Sequence, residues 1–285
     1  MTTPPGMIDP LTEPLPAPEP AGTSGRLLRA APYAAPSGFR PLLADLHLPA
    51  TREPAPVVLF VHGGGWRLGS RTLFCPTWSD WLPGAFDRLV DAGFAVISVD
   101  YRLSAEAVFP AQFEDVSAAL HWIRARAADL GVDAERIVLW GESAGGHLAA
   151  LLGLDASRAD ARGVVGVVDW YGPADLDALP SRDDPDSREA LLLGAPATHA
   201  SQLASAASPV ARVHSDAPPF HLAHGTADES VPPSQSELLA NALREAGVPV
   251  DLHLIPGAGH MWRGAENGEA IFARAVEFAR RCTSR

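Results

Sequence analysis

Cysteine is scarce in this sequence, a long apolar run is missing, and positive charge is outnumbered by negative. Each shortage removes a class of protein. The two cysteines, Cys75 and Cys282, lie far apart with no metal-ligand spacing. A disulfide framework is therefore excluded, and a reducing compartment is the simpler home. No stretch of about eighteen apolar residues exists, so no helical membrane span is expected. The formal charge of −12 opposes non-specific binding to nucleic acid or to anionic lipid, and neither is expected as a partner. The first residues, Met1-Thr2-Thr3-Pro4-Pro5, lack the cationic start and apolar core of a secretory signal. A cytoplasmic location is the expectation, with Met7 as an alternative start. The oligomeric state is left open, a homodimer included.

With 285 residues and 47% apolar content, there is ample material for one large α/β domain. Residues 1–24 are rich in proline and poor in large apolar groups, and are expected to form an extended or disordered arm. Residues 25–285 then read as a single domain. Within it, apolar runs alternate with helical periodicities. Strands are expected at 42–48 (antiparallel), 57–61, 94–99, 136–140, 164–168, 220–224 and 250–255. Phe113, Val116, Leu120, Ile123, Ala127 and Leu130 keep steps of three and four and predict one helix ending at Gly131. Further helices are expected after Ser143, from about 234 to 246 and from about 266 to 281. This is an α/β pattern with a mostly parallel sheet covered on both faces. The polar, proline-marked segment 174–217 reads as an insertion and a small lid.

Gly141-Glu142-Ser143-Ala144-Gly145-Gly146 follows the run Arg136-Ile137-Val138-Leu139-Trp140 and precedes a helical pattern. A serine framed by glycines at a strand-to-helix turn is lifted clear of the sheet edge, where a substrate can reach it. A serine hydroxyl needs a base, and the base needs an orienting acid. Of ten histidines, His260 stands directly after the last predicted strand, on the rim where ligands bind in open α/β sheets. His221 and His253 lie inside strands, while His121, His199 and His214 lack strand-end context. Asp228 follows the strand 220–224 on the same rim. Glu229 is its neighbour and competitor; the shorter side chain suits a fixed loop. Asp216 precedes its strand and belongs at the opposite end. His62-Gly63-Gly64-Gly65-Trp66 follows the strand 57–61. Its glycines would let the N–H groups of Gly64 and Gly65, with that of Ala144, point at a developing oxyanion. No Gly-Lys-Ser/Thr follows, so a phosphate loop is disfavoured.

Together with Asp100-Tyr101-Arg102-Leu103, His224-Gly225-Thr226-Ala227-Asp228 with Val231-Pro232, and Gly257-Ala258-Gly259-His260, these motifs resemble the α/β-hydrolase superfamily. Within it, the likeness is to the esterase/lipase group that includes hormone-sensitive-lipase-like and feruloyl-esterase-like bacterial enzymes. The likeness runs from about residue 40 to the end. It implies an α/β-hydrolase fold and a serine carboxylesterase with Ser143, Asp228 and His260 as its triad. No cofactor and no metal are implied. Glu142 stands where hormone-sensitive-lipase-like enzymes carry Asp, Asp228-Glu229-Ser230 replaces their Asp-Pro-Leu, and the short arm offers no N-terminal helical cap. The likeness therefore leans to the feruloyl-esterase-like side, with a small or absent cap.

Small ester substrates, short-chain or aromatic, are expected. Trp66, Trp170 and Tyr171 are candidate pocket walls. Phe74, Trp78, Trp81 and Phe86 read as packing for the first long helix, and Arg102 as an ion-pair partner of Asp115. An arylformamidase, a lactonase or a thioesterase would use the same triad. A prolyl-oligopeptidase-type peptidase fits less well, because the chain has no room for a propeller. A non-catalytic receptor fits least, since receptors of that kind tend to lose a triad member.

Overall fold

The continuous apolar runs become the centre of a nine-stranded sheet, as runs buried on both faces should. The structure, a computed structural model, describes residues 8–21, 25–159 and 163–284. Its strands are β1 (Glu19–Ala21), β2 (Gly25–Ala34), β3 (Leu42–Leu48), β4 (Ala55–Val61), β5 (Ala95–Val99), β6 (Val132–Glu142), β7 (Val164–Trp170), β8 (Phe220–Gly225) and β9 (Val250–Ile255). Spatial order is β1-β2-β3-β5-β4-β6-β7-β8-β9. β1 pairs antiparallel with β2, β2 with β3 and β3 with β5; every other pairing is parallel.

The helices are α1 (Ala85–Asp91), α2 (Ala111–Ala125), α3 (Ala127–Leu130), α4 (Ala144–Ala159), α5 (Arg188–Leu193), α6 (Ser201–Ala206), α7 (Ser234–Glu245) and α8 (Gly268–Thr283). Two-residue alternation along the strands sends Val57, Leu59, Leu139 and Val167 into one core with α2, α4 and α7. Val58, Phe60, Val138, Trp140, Val168 and Trp170 go into a second core with α1 and α8. All parallel strands point the same way, so Val61, Glu142, Trp170 and Gly225 end on one rim. Arg102 pairs with buried Asp115 in a fork, at 3.0 Å from Nε and 2.7 Å from Nη2, and holds the residues after β5 against α2.

Three local expectations change. The helix predicted over 113–130 divides at Arg126, where φ is −105° and ψ 10°, before Gly131 closes α3 in the left-handed region. The aromatic segment after the glycine loop is mostly irregular. Phe74 stacks on Phe60 of the sheet, Phe86 meets the same ring edge-on from the short α1, and Trp78 meets Trp170 edge-on, so no long helix is carried by them. The proline-rich arm is not separate from the domain over residues 8–21. Glu19–Ala21 pairs with β2, and the Pro10 carbonyl accepts from Trp122 Nε1 at 2.9 Å and Arg126 Nη1 at 3.1 Å. Leu15 packs against the first core, and backbone carbonyls supply the other anchors. Residues 1–7 lie outside the described residues.

Candidate active site

Ser143 sits between β6 and α4 with φ +53°, a strained value for a residue with a side chain. Its flanking glycines make that turn feasible. A Cβ on Gly145 would lie 2.0 Å from the Val61 carbonyl oxygen, and one on Gly141 would lie 2.1 Å from that of Gly145. The Ser143 N–H donates to the Trp170 carbonyl at 2.8 Å, which ties the turn to the end of β7.

Ser143 Oγ lies 3.0 Å from His260 Nε2, and His260 Nδ1 lies 2.6 Å from Asp228 Oδ2. His260 occupies a short turn after β9, and Asp228 the loop after β8. Asp228 is held from several sides. Its Oδ1 accepts the N–H groups of Ser230 and Val231 at 2.8 and 2.9 Å. Its Oδ2 also faces His224 Nε2 at 3.3 Å. Burial alone would raise this carboxyl, but the hydrogen bonds from His224 and His260 outweigh it and hold Asp228 well below the usual carboxylate range. Asp228 is thus held as an anion against His260 Nδ1. His224, absent from the sequence assignment, is itself fully buried, with Nδ1 2.7 Å from Ser236 Oγ and Nε2 2.9 Å from the Val231 carbonyl.

The glycine loop follows β4. Gly64 adopts φ +117°, and its carbonyl accepts from Arg67 and Leu68 in a tight turn. Among the described residues, the N–H groups of Gly64 and Gly65 reach no acceptor in the chain. Ala144 opens α4, where the first amide groups have no partner within the helix. These three donors border the same cavity as Ser143 or adjoin it.

That cavity has a volume of about 410 Å³, and Ser143 and His260 both line it. Leu68, Leu73, Pro76, Tyr171 and Met261 form apolar walls. Arg67, Arg188 and Arg263 bring positive charge to it. Tyr171 also packs against the His260 ring, with centroids 4.8 Å apart, and its hydroxyl donates to Glu142 Oε2 at 2.7 Å. Burial pushes the Glu142 carboxyl up to about 7.

Two expected pocket walls lie elsewhere. Trp170 is fully buried, edge-on to Trp140 and Trp78, because alternation along β7 turns it into the second core. Trp66, at φ +57°, turns inward and packs edge-on to His147 at 5.0 Å. Neither borders the cavity. Leu68 and Met261 adjoin motifs already marked, so proximity to the glycine loop and to His260 was their available signal. Arg188 lies in the 174–217 insertion and had none.

Among the described residues, one cluster has metal-ligand chemistry: His221, Asp251 and His253, on the first half of β8 and on β9. Two of these already face cations. Asp251 accepts from Arg281 at 3.0 Å, and His253 Nδ1 lies 3.1 Å from Arg274 Nη1. None of them lines the cavity over Ser143.

Known proteins resemble this chain in sequence and in fold. A family model described as BD-FAE matches residues 44–243. Esterase LipQ of Mycobacterium tuberculosis is 35% identical over 219 residues, covering 72% of this chain and 50% of that protein. Carboxylesterase NlhH of the same organism is 33% identical over 251 residues, covering 83% and 73%. The chain spans 50% and 58% of the length of the esterases LipQ and LipC, respectively. A truncated carbohydrate esterase from gut microbiota superposes with a TM-score of 0.80 at 28% identity, covering 95% of this chain and all of that one. A bacterial heroin esterase gives 0.72 at 29% identity, covering 92% and 85%. The chain belongs to the BD-FAE family, within the esterase group of the α/β-hydrolases.

Proposed function

We propose that this protein is a serine carboxylesterase that hydrolyses small esters through an acyl-enzyme on Ser143. The observation that carries the reading is the unbroken relay from Ser143 Oγ through His260 to Asp228, at 3.0 and 2.6 Å, opening on one cavity. His260 takes the Ser143 proton as the oxygen attacks the ester carbonyl. The N–H groups of Gly64, Gly65 and Ala144 stabilise the oxyanion. His260 then protonates the departing alcohol, and water, deprotonated by the same ring, releases the acid. Asp228 stays ionised throughout and holds the imidazole tautomer.

A cavity of about 410 Å³ is at the lower end of small-molecule sites and suits a short acyl chain or one aromatic ring. Residues 25–285 act as one catalytic domain, in which 174–217 forms part of the cavity rim through Arg188 rather than a full cap. Two free thiols fit a cytoplasmic setting.

The test is Ser143→Ala on 4-nitrophenyl acetate and butyrate, with fluorophosphonate labelling of the parent protein. Full activity in Ser143→Ala, or no labelling of the parent, would overturn the assignment. An N-formyl anilide and a thioester in the same panel would separate ester preference from the related acyl transfers.

A further inference from the structure

The esterase reading leaves one property of the cavity unused: its charge. The chain as a whole is acidic, at −12. Yet the charged residues lining the cavity, apart from the His260 base, are Arg67, Arg188, Arg263 and a single acid, Glu142. Glu142 is buried beneath the site, spends an oxygen on the Tyr171 hydroxyl, and is pushed up to about 7 by its burial. It cannot neutralise three guanidinium groups. Among the described residues, none of the three arginines forms an ion pair. Arg67 and Arg263 are exposed.

Arg188 is the most fixed of the three. Its stem lies against the oxyanion loop, so close that a Cβ on Gly65 would meet its Cδ at 2.5 Å. Its Nη2 donates to the Ser230 carbonyl at 3.1 Å, two residues beyond Asp228. The side chain therefore spans from the glycine loop to the acid loop. One carbonyl occupies one of its five N–H donors, and a guanidinium fork matches a carboxylate geometrically.

We infer, building on the esterase reading, that Arg188, with Arg67 and Arg263, forms an anion subsite and that the preferred substrates are esters bearing a carboxylate. Three positive groups around a low-dielectric cavity in an acidic protein would concentrate such substrates at the mouth, and the paired carboxylate would orient the ester over Ser143. The carboxylate can sit on the acyl part or on the alcohol part, and matched pairs separate the two. Phenyl hydrogen adipate against phenyl hexanoate tests the acyl side. 4-Acetoxybenzoate against 4-acetoxybenzamide tests the alcohol side.

The expected result is a kcat/KM at least about tenfold higher for the anionic member of one pair. That advantage should shrink by several-fold when ionic strength rises from about 0.05 to about 0.5 M, because salt screens exposed charge. Arg188→Gln should bring the anionic-to-neutral ratio close to one. The salt dependence is read on the parent protein, so the inference remains testable if Arg188→Gln fails to fold. Equal rates within both pairs, or an anionic advantage untouched by both salt and Arg188→Gln, would overturn the subsite while leaving the esterase reading intact. Hydrolysis of none of the four esters would overturn both.

Discussion

Tyr171 donates its hydroxyl to Glu142 Oε2 across 2.7 Å, at a place where both side chains are buried. The pair borders both Ser143 and His260: Glu142 precedes Ser143, and the Tyr171 ring packs on His260. Burial raises Glu142 from 4.5 to about 7, and raises buried Asp169 to about 7 as well. The native state therefore binds these protons more tightly than the unfolded chain. Stability is fully present below the unfolded values and is lost as pH rises through the folded ones. Glu142→Gln should accordingly show a smaller fall in Tm from about pH 6 to about pH 8 than the parent protein. An unchanged fall, measured by calorimetry, would rule out an ionising Glu142.

On the acid side the sign reverses. His47, His147 and His221 are buried and lowered to about 4, with burial the main cause in each. The unfolded chain takes up their protons first, so stability should decline as pH falls from about 6.5 to about 4. Replacing His147 with Gln should flatten part of that decline in a pH series of urea midpoints.

The placement of the aromatic residues separates stability from specificity. Trp170→Ala should cost about 3–5 kcal/mol of folding stability, as a large core truncation does. Its KM for 4-nitrophenyl butyrate should stay within about a factor of two, because the ring never meets the cavity. Tyr171→Phe should instead alter kcat, since it removes the donor to Glu142 beside the base. The reverse pattern would return Trp170 to the pocket wall.

Gly64 and Gly131 make a matched test of the proposed oxyanion loop. Both have positive φ, but a Cβ on Gly64 would lie 2.2 Å from the Leu68 carbonyl oxygen, whereas Gly131 has open space. Gly64→Ala should lower kcat by about a hundredfold or more. Gly131→Ala should cost about 1–2 kcal/mol of stability while sparing kcat. Comparable losses of kcat in the two variants would mean that the loop has no special place in the chemistry.

Neither thiol should react readily in the folded protein. Burial pushes Cys75 up to about 12 and Cys282 up to about 11, which leaves very little thiolate near neutral pH. Ellman's reagent at about pH 8 should find both cysteines only after denaturation. Rapid reaction of either in the native state would contradict that burial.

Much of this architecture was legible because its signals are local. Continuous apolar runs such as Val57–Val61 announce strands covered on both faces, and glycine marks the turns beyond them. The edge strand Glu19–Ala21 carries no such run, since its pairing depends on what β2 offers. Ser143, Asp228 and His260 could be nominated together because parallel strands deliver their ends to one rim. Which face a strand residue takes is less accessible. Trp170 and Tyr171 are adjacent in sequence and both belong to the second core, but Tyr171, just past β7 at φ +45°, also borders the cavity while Trp170 does not. Arg188 was out of reach for a different reason. Its position depends on how the short helices of 174–217 pack, and no periodicity encodes that.

The docked arm has a consequence for handling the protein. Trp122 and Arg126 satisfy their donors on the carbonyls of Pro10 and Glu13, so the seam between α2 and the sheet is partly closed by backbone acceptors of the arm. Shortening the chain to the start of β2 would strip those acceptors from a buried indole and a guanidinium. The tidy-looking truncation is therefore the one that opens the seam.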